Sequence, residues 1–171
     1  EECPRCKQGT LVEAVASEVG NVFDLGKKYA ESFSLTYIGR DGQPRYPVMG
    51  CYGWGTTRTM GVIVEHFNDE RGIIWPKSIA PFNVHLIAMR GAESQGENLY
   101  KLLQKEKIEV LLDDREGISA GEKFASADLI GCPYRLVVSP RIGEGKVEVK
   151  KRTSDKVAVV PTSSLKETLD I

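Results

Sequence analysis

The rhythm of apolar and helical stretches after residue 83 limits the possible folds more than any other feature of this chain. Val84 to Met89, Glu109 to Leu112 and Tyr134 to Val138 are short, largely apolar runs. Between the first two, Glu97 to Lys107 puts Leu99, Leu102 and Leu103 on one helical face. Between the second and third, Ser119 to Ile130 does the same with Phe124, Ala127 and Ile130. Strand–helix–strand–helix–strand at this spacing predicts parallel strands joined by right-handed crossovers. Strands without polar alternation fit burial on both faces. Two more strand-like stretches, Lys146 to Lys150 and Val157 to Val160, flank the polar turn Arg152-Thr153-Ser154-Asp155. The expectation for this half is an α/β domain with a mainly parallel sheet.

Trp75-Pro76-Lys77-Ser78-Ile79-Ala80-Pro81 separates it from what comes before, because two prolines this close exclude a continuous helix or central strand. A junction near residues 76–82 divides the chain into 1–78 and 79–171. Upstream, Val- and Ala-rich Leu11 to Val19 reads as a strand and Lys27 to Phe33 as a short helix. Leu35 to Ile38 and Tyr46 to Met49 read as strands around the turn Gly39-Arg40-Asp41-Gly42-Gln43-Pro44. Thr57 to Asn68 reads as a helix with the apolar stripe Met60, Ile63, Val64 and Phe67. The first half is therefore expected to be an antiparallel sheet with a helix behind it.

The chain of 171 residues carries a net charge of -1. No global basic field draws it onto nucleic acid, so any RNA binding must come from a local patch. No apolar run approaches the roughly 20 residues that span a bilayer. Glu1-Glu2-Cys3-Pro4 has neither a basic nor an apolar leader region and no initiator Met, so the chain is expected to begin inside a longer protein. Of four cysteines only Cys3 and Cys6 are close in sequence, which is no disulfide framework and fits a cytoplasmic location.

The most informative segment is Met49-Gly50-Cys51-Tyr52-Gly53-Trp54-Gly55-Thr56-Thr57-Arg58, which reads as a glycine-rich turn between a strand and a helix. Glycines let backbone approach a ligand closely. A helix start offers free N–H groups to an anion, and Arg58 in the first turn can pair with a phosphate or stack on a purine. The spacing is neither a Walker A loop nor a dinucleotide fingerprint. From these residues alone, a tight turn without a ligand is an equal reading.

The segment resembles motif 3 of class II aminoacyl-tRNA synthetases. The string Met-Gly-Cys-Tyr-Gly followed by x-Gly-x-x-Arg is similar to that of bacterial prolyl-tRNA synthetases. The resemblance continues through Glu18-Val19-Gly20-Asn21-Val22-Phe23-Asp24-Leu25-Gly26-Lys27-Lys28-Tyr29, through Gly72 to Phe82, and through Leu111-Leu112-Asp113-Asp114-Arg115 and Gly121 to Gly131. It implies part of a class II catalytic domain over 1–78 and an anticodon-binding domain over 79–171. It also implies a ligase that activates proline with ATP, accompanied by Mg2+, and transfers it to proline tRNA, as a homodimer when full length. Arg58 would then be the catalytic residue, binding ATP together with Gly53 and Gly55. Gly20, Asn21, Phe23, Gly50 and Cys51 would line the proline pocket. Asn21 stands where many relatives have histidine, and Trp54 where an aliphatic residue is usual.

In an open parallel sheet, ligands bind beyond the carboxyl ends of the strands. The second strand of the α/β half ends at Asp113-Asp114-Arg115. Without the resemblance, Asp114 and Arg115 read as a strand-end charge pair and Lys123 as a solvated helix position. With it, Asp114, Arg115 and Lys123 are expected to read the anticodon loop. Phe124, His66 and His85 read as structural. Cys3-Pro4-Arg5-Cys6 could be one knuckle of a zinc ribbon, but no second pair follows at a suitable distance, so no metal site is expected.

The rival reading is a non-catalytic tRNA-binding module that reuses the anticodon-binding fold; a weaker one is a zinc-ribbon nucleotide-binding protein. Class II motifs 1 and 2 and an editing domain are not found in the sequence. The isolated chain is therefore expected to give no proline-dependent ATP–pyrophosphate exchange above background, and clear exchange would refute this.

Overall fold

A computed structural model describes residues 1–170. The chain forms two compact units, Glu1–Val62 and the residues from Ile63 onward.

In the first unit, β1 (Gly20–Gly26) and β4 (Met49–Trp54) form an antiparallel ribbon in which Gly20 faces Trp54 and Asp24 faces Gly50. The ladder is irregular between Asp24 and Gly26. α1 (Lys28–Ser32) follows β1. The expected hairpin forms from β2 (Tyr37–Ile38) and β3 (Pro44–Arg45), two residues each. Its second strand lies earlier than the expected Tyr46–Met49, directly after the turn, and Met49 belongs to β4 instead. α2 (Thr56–His66) then leads into the second unit.

Two expectations are corrected here. Leu11 to Val19 is not a strand but irregular, exposed chain: β-branched residues favour strands only where a neighbouring strand and a face to pack on exist. Met49 to Trp54 is not a turn but a strand, and the turn is confined to Gly55. Of the ribbon's glycines, Gly20 is the one the pairing requires: a Cβ there would lie 3.0 Å from the Gly53 carbonyl oxygen. Nor does the stripe on α2 bury itself. None of its residues is fully buried, and Met60 and Phe67 stay exposed.

The second unit holds a five-stranded sheet in the order β11-β10-β9-β7-β8, formed by β7 (Val84–Ala88), β8 (Val110–Asp113), β9 (Tyr134–Val138), β10 (Lys146–Lys151) and β11 (Val157–Pro161). β7 pairs in parallel with β8 and β9, whereas β10 and β11 are antiparallel, so the sheet is mixed rather than mainly parallel. The short connections between β9, β10 and β11 leave room only for hairpins. α3 (Glu93–Lys105) and α4 (Ala120–Ile130) are the predicted crossover helices. Ser119 caps α4 by accepting from the Glu122 amide at 3.2 Å.

Successive side chains of β7 point to opposite faces. Val84, Leu86 and Ala88 join Leu99 and Leu103 of α3, with Leu165 and Leu169 of α5 (Leu165–Leu169), in the larger core. Ile87 joins Val137 and Ala127 of α4 on the other face. Each fully buried Leu, Ile or Val contributes roughly 1.5–3 kcal/mol.

A small hairpin, β5 (Asn68–Asp69) and β6 (Gly72–Ile73), is fastened to this domain. The buried Arg152 donates to the Asp69 carboxylate, Nη1 to Oδ2 at 2.8 Å, and from Nε to the Asp128 carbonyl at 3.0 Å. Gly131 ends α4 at φ 80° and meets the hairpin directly: a Cβ there would lie 1.9 Å from the Ile73 carbonyl oxygen. Gly131→Ala is thus expected to cost about 2–4 kcal/mol in chemical denaturation, since strain and collision add. Gly143→Ala, at φ 89° with open space around it, should cost only about 1–2 kcal/mol from left-handed backbone strain. Equal losses would refute the role of the close approach.

Candidate functional site

β7 and β8 run parallel, so their carboxyl ends open on the same edge of the sheet. A cavity of about 620 Å³ lies there, lined in part by Met89, Arg90, Glu93, Asp114, Arg115 and Lys123. The sequence-predicted set Asp114, Arg115 and Lys123 thus comes together around one space.

Asp113, the last residue of β8, organises it. Its buried carboxylate accepts from Arg115 Nε at 2.9 Å and Arg115 Nη2 at 2.8 Å, and from the Arg115 amide at 3.2 Å. This bidentate pair fixes the plane of a guanidinium that is itself about half exposed. The pairing is with Asp113, not the neighbouring Asp114, which is exposed. Lys123 is not on a solvated helix face. It is buried, and its Nζ donates to the carbonyls of Ala88 at 2.9 Å and Asp113 at 3.2 Å, 3.7 Å from Asp113 Oδ1. Its charge sits under the cavity while its hydrogen bonds are spent on the two strand ends. The Arg115 hydrogen bonds hold the Asp113 carboxyl below the ordinary carboxylate range and raise Arg115 in turn. The Gly91 amide donates to Glu93 at 2.9 Å and lowers its carboxyl likewise. Acidic and basic groups are thus interleaved around the cavity, which gives no uniform basic field.

The sequence reading did not single out Asp113, the residue that organises the strand ends. Asp113 ends an apolar strand, and a carboxylate entering such a run needs a buried partner, which was the available signal. His85 is buried on β7 beside a cavity of about 340 Å³ shared with Asp113 and Arg115. Its Nδ1 lacks a protein partner, and burial lowers its pKa. Phe124 packs against the Ile87 cluster, with the Arg135 guanidinium 4.4 Å from its ring centre.

In the first unit, the register sets Asn21 opposite Gly53 and Phe23 opposite Cys51. Directly opposed residues of an antiparallel pair share a face, so Asn21, Phe23 and Cys51 project from the same side of the ribbon. Arg58, on α2 and exposed, donates from Nη1 to the Glu18 carbonyl at 2.8 Å, and Gly55 donates to the Val19 carbonyl at 2.8 Å. Asn21 reaches the Glu18 carboxylate at 3.1 Å. Trp54 Nε1 donates to Thr59 Oγ1 at 2.6 Å, which ties the ribbon to the helix. Glu18–Val19 therefore gathers the end of β4 and the start of α2. Among the described residues no group of three or more His, Cys, Asp or Glu is arranged to hold a metal ion. No helix among them is long and apolar enough to cross a membrane.

Residues 78–170, which hold the strand-end site, match the family described as Anticodon binding domain. The chain belongs to that family. The anticodon-binding unit and the residues ahead of it are also similar to curated proline–tRNA ligases. Identity is 45% over 161 residues with that of Bacillus mycoides (strain KBAB4), covering 92% of this chain and 28% of the relative. It is 41% over 175 residues with that of a Sulfurihydrogenibium species (strain YO3AOP1), covering 100% and 29%. With that of Persephonella marina it is 42% over 174 residues, covering 99% and 31%. The chain thus spans about 30% of the length of the relatives it matches.

The Asp113 network makes a prediction for the anticodon-binding domain. Asp113→Asn removes the counter-charge of a buried lysine and should cost about 2–3 kcal/mol near neutral pH, at the low end for a broken buried pair because Arg115 is half exposed. The native Asp113 carboxyl titrates lower than in the unfolded chain. Its contribution is therefore complete above the ordinary carboxylate range, near pH 4, and is lost as the pH falls through the depressed value. Denaturation curves of the two proteins should converge on acidification below about pH 4; a constant gap down to about pH 2 would refute the assignment.

Proposed function

We propose that this chain is part of a proline–tRNA ligase, in which its second unit engages the anticodon loop of proline tRNA and its first unit supplies one wall of the site for ATP and proline. The whole enzyme activates proline with ATP, releases pyrophosphate and transfers the prolyl group to the terminal adenosine of proline tRNA. It works in the cytoplasm as a homodimer. The observation that carries this reading is that identity to proline–tRNA ligases extends over 92–100% of the chain, including the residues ahead of the anticodon-binding match. That extension favours the ligase over a stand-alone tRNA-binding module.

In this reading Arg115 and Asp114 are the residues that touch RNA. Asp113 fixes the plane of the Arg115 guanidinium through Nε and Nη2, which leaves the Nη1 edge for base or phosphate recognition. Asp114, exposed at the rim, accepts from exocyclic amines of unstacked bases. Lys123 adds positive charge beneath the cavity and holds the ends of β7 and β8 in place.

In the first unit, Gly53 and Gly55 keep the ribbon free of side chains where the nucleotide lies, and Arg58 contacts the base or terminal phosphate of ATP. Gly20 and Gly50 admit the proline ring, with Asn21, Phe23 and Cys51 around it. Proline offers mostly CH₂ surface and one ammonium, which suits a small, partly apolar pocket. Catalysis is by positioning and charge stabilisation, without a covalent protein nucleophile. Mg2+ enters with the ATP phosphates, and no carboxylate cluster of this chain is assigned to it.

The test is binding of a fluorescent proline-tRNA anticodon stem-loop to the chain, read by anisotropy at fixed salt. Arg115→Ala should weaken binding by about 1–3 kcal/mol, roughly 5- to 150-fold, and relax preference over a stem-loop with a changed anticodon. Unchanged affinity and preference would refute the assignment.

A further inference from the structure

We infer that Arg90 and Arg141 join Arg115 and Asp114 as RNA contacts and hold the sugar–phosphate backbone of the loop whose bases the other two read. This deepens the proposed engagement of the anticodon loop and rests on it. β9, β7 and β8 are neighbouring parallel strands, so their carboxyl ends share one edge of the sheet. Each is followed by an arginine: Arg141 after β9, Arg90 after β7 and Arg115 after β8. Neighbouring strands lie about 4.8 Å apart, which puts the three strand ends within roughly 10 Å of one another.

The segments that carry Arg90 and Arg141 pack on each other. A Cβ on Gly91 would lie 3.2 Å from Pro140 Cγ. The Met89 amide donates to the Val138 carbonyl at 3.0 Å, which extends the β7–β9 pairing to the residue before Arg90. Met89 and Ile142, the chain neighbours of the two arginines, both pack against the cluster of Ile87, Ala127 and Val137. From α3, Gln95 Nε2 donates to the carbonyls of Gly143 at 3.3 Å and Lys146 at 3.1 Å. Both arginines are thus exposed on anchored backbone, and little ordering of the main chain remains for a ligand to impose.

Among the described residues neither Arg90 nor Arg141 is in an ion pair, whereas Arg115, Arg135 and Arg152 each are. Arg90 borders the same cavity as Arg115, and Glu93 beside it accepts from the Gly91 amide at 2.9 Å. Asp114 and Glu116, the other exposed acids on that cavity, follow β8, which β7 separates from β9. The cations without a carboxylate partner therefore gather where β7 and β9 end. A guanidinium without an ion pair keeps its N–H donors for phosphate oxygens, while one whose plane is fixed suits a base edge. Phosphates carry no sequence, so the first kind of contact sets register and the second sets preference.

The test extends the stem-loop titration over several KCl concentrations. Arg90→Ala and Arg141→Ala should each weaken binding about 3- to 10-fold at low salt, equally for the proline anticodon and a changed one. Each should also reduce the magnitude of the slope of log affinity against log salt by about 0.7. Arg90→Lys and Arg141→Lys keep the charge and should restore the slope. An unchanged slope in the Arg90→Ala/Arg141→Ala double variant, or a loss of anticodon preference in it, overturns this inference, while a normal Arg115→Ala response leaves the anticodon-loop reading standing. Failure of the unaltered chain to bind the stem-loop at any salt overturns both.

Discussion

Because β7 is buried on both faces, every polar group at its ends must find a partner within the fold, and that requirement builds the strand-end site. The Ala88 carbonyl at the end of β7 accepts from Lys123, which also spans to the end of β8. A buried ammonium needs a counter-charge, and Asp113 supplies it. The Asp113 carboxylate has acceptor capacity left over, and Arg115 takes it. The orientation of the exposed guanidinium is thus the last link of a chain that starts with desolvation of the central strand.

The first unit is held in another way. Its one buried hydrophobic residue is Ala30, while Val22, Phe23, Tyr52 and Trp54 on the ribbon are exposed. A two-stranded ribbon has little stability of its own. Here the backbone ladder, the close approach at Gly20 and the contacts to Glu18–Val19 give it order. Asn21, Phe23 and Cys51 project from one side of this ribbon.

Electrostatics divides the polar groups of the second unit by task. Arg152 with Asp69 and Asp128 is structural: it anchors a hairpin, and its hydrogen bonds are made inside the protein. Arg115 with Asp113 uses the same fork-to-carboxylate geometry at the edge of a cavity, leaving the outer side of the guanidinium free. Burial, not residue type, separates the enclosed Arg152 from the half-exposed Arg115.

The sequence by itself determined the elements of the second unit. The strands β7, β8 and β9 and the helices between them were legible because runs buried on both faces and amphipathic stripes carry their period in the residue order. It also put Asp114 and Arg115 at the end of a strand, whereas their grouping with Lys123 came from the family resemblance. Only the tertiary structure decided that the sheet is mixed, because pairing direction depends on which strands meet and not on their composition. It alone decided that Leu11 to Val19 finds no partner strand, that Met49 to Trp54 is a strand, and that Lys123 is buried with Asp113 as the pivot. Whether a charge meets solvent or a carbonyl depends on residues far apart in the chain, and no local pattern encodes that.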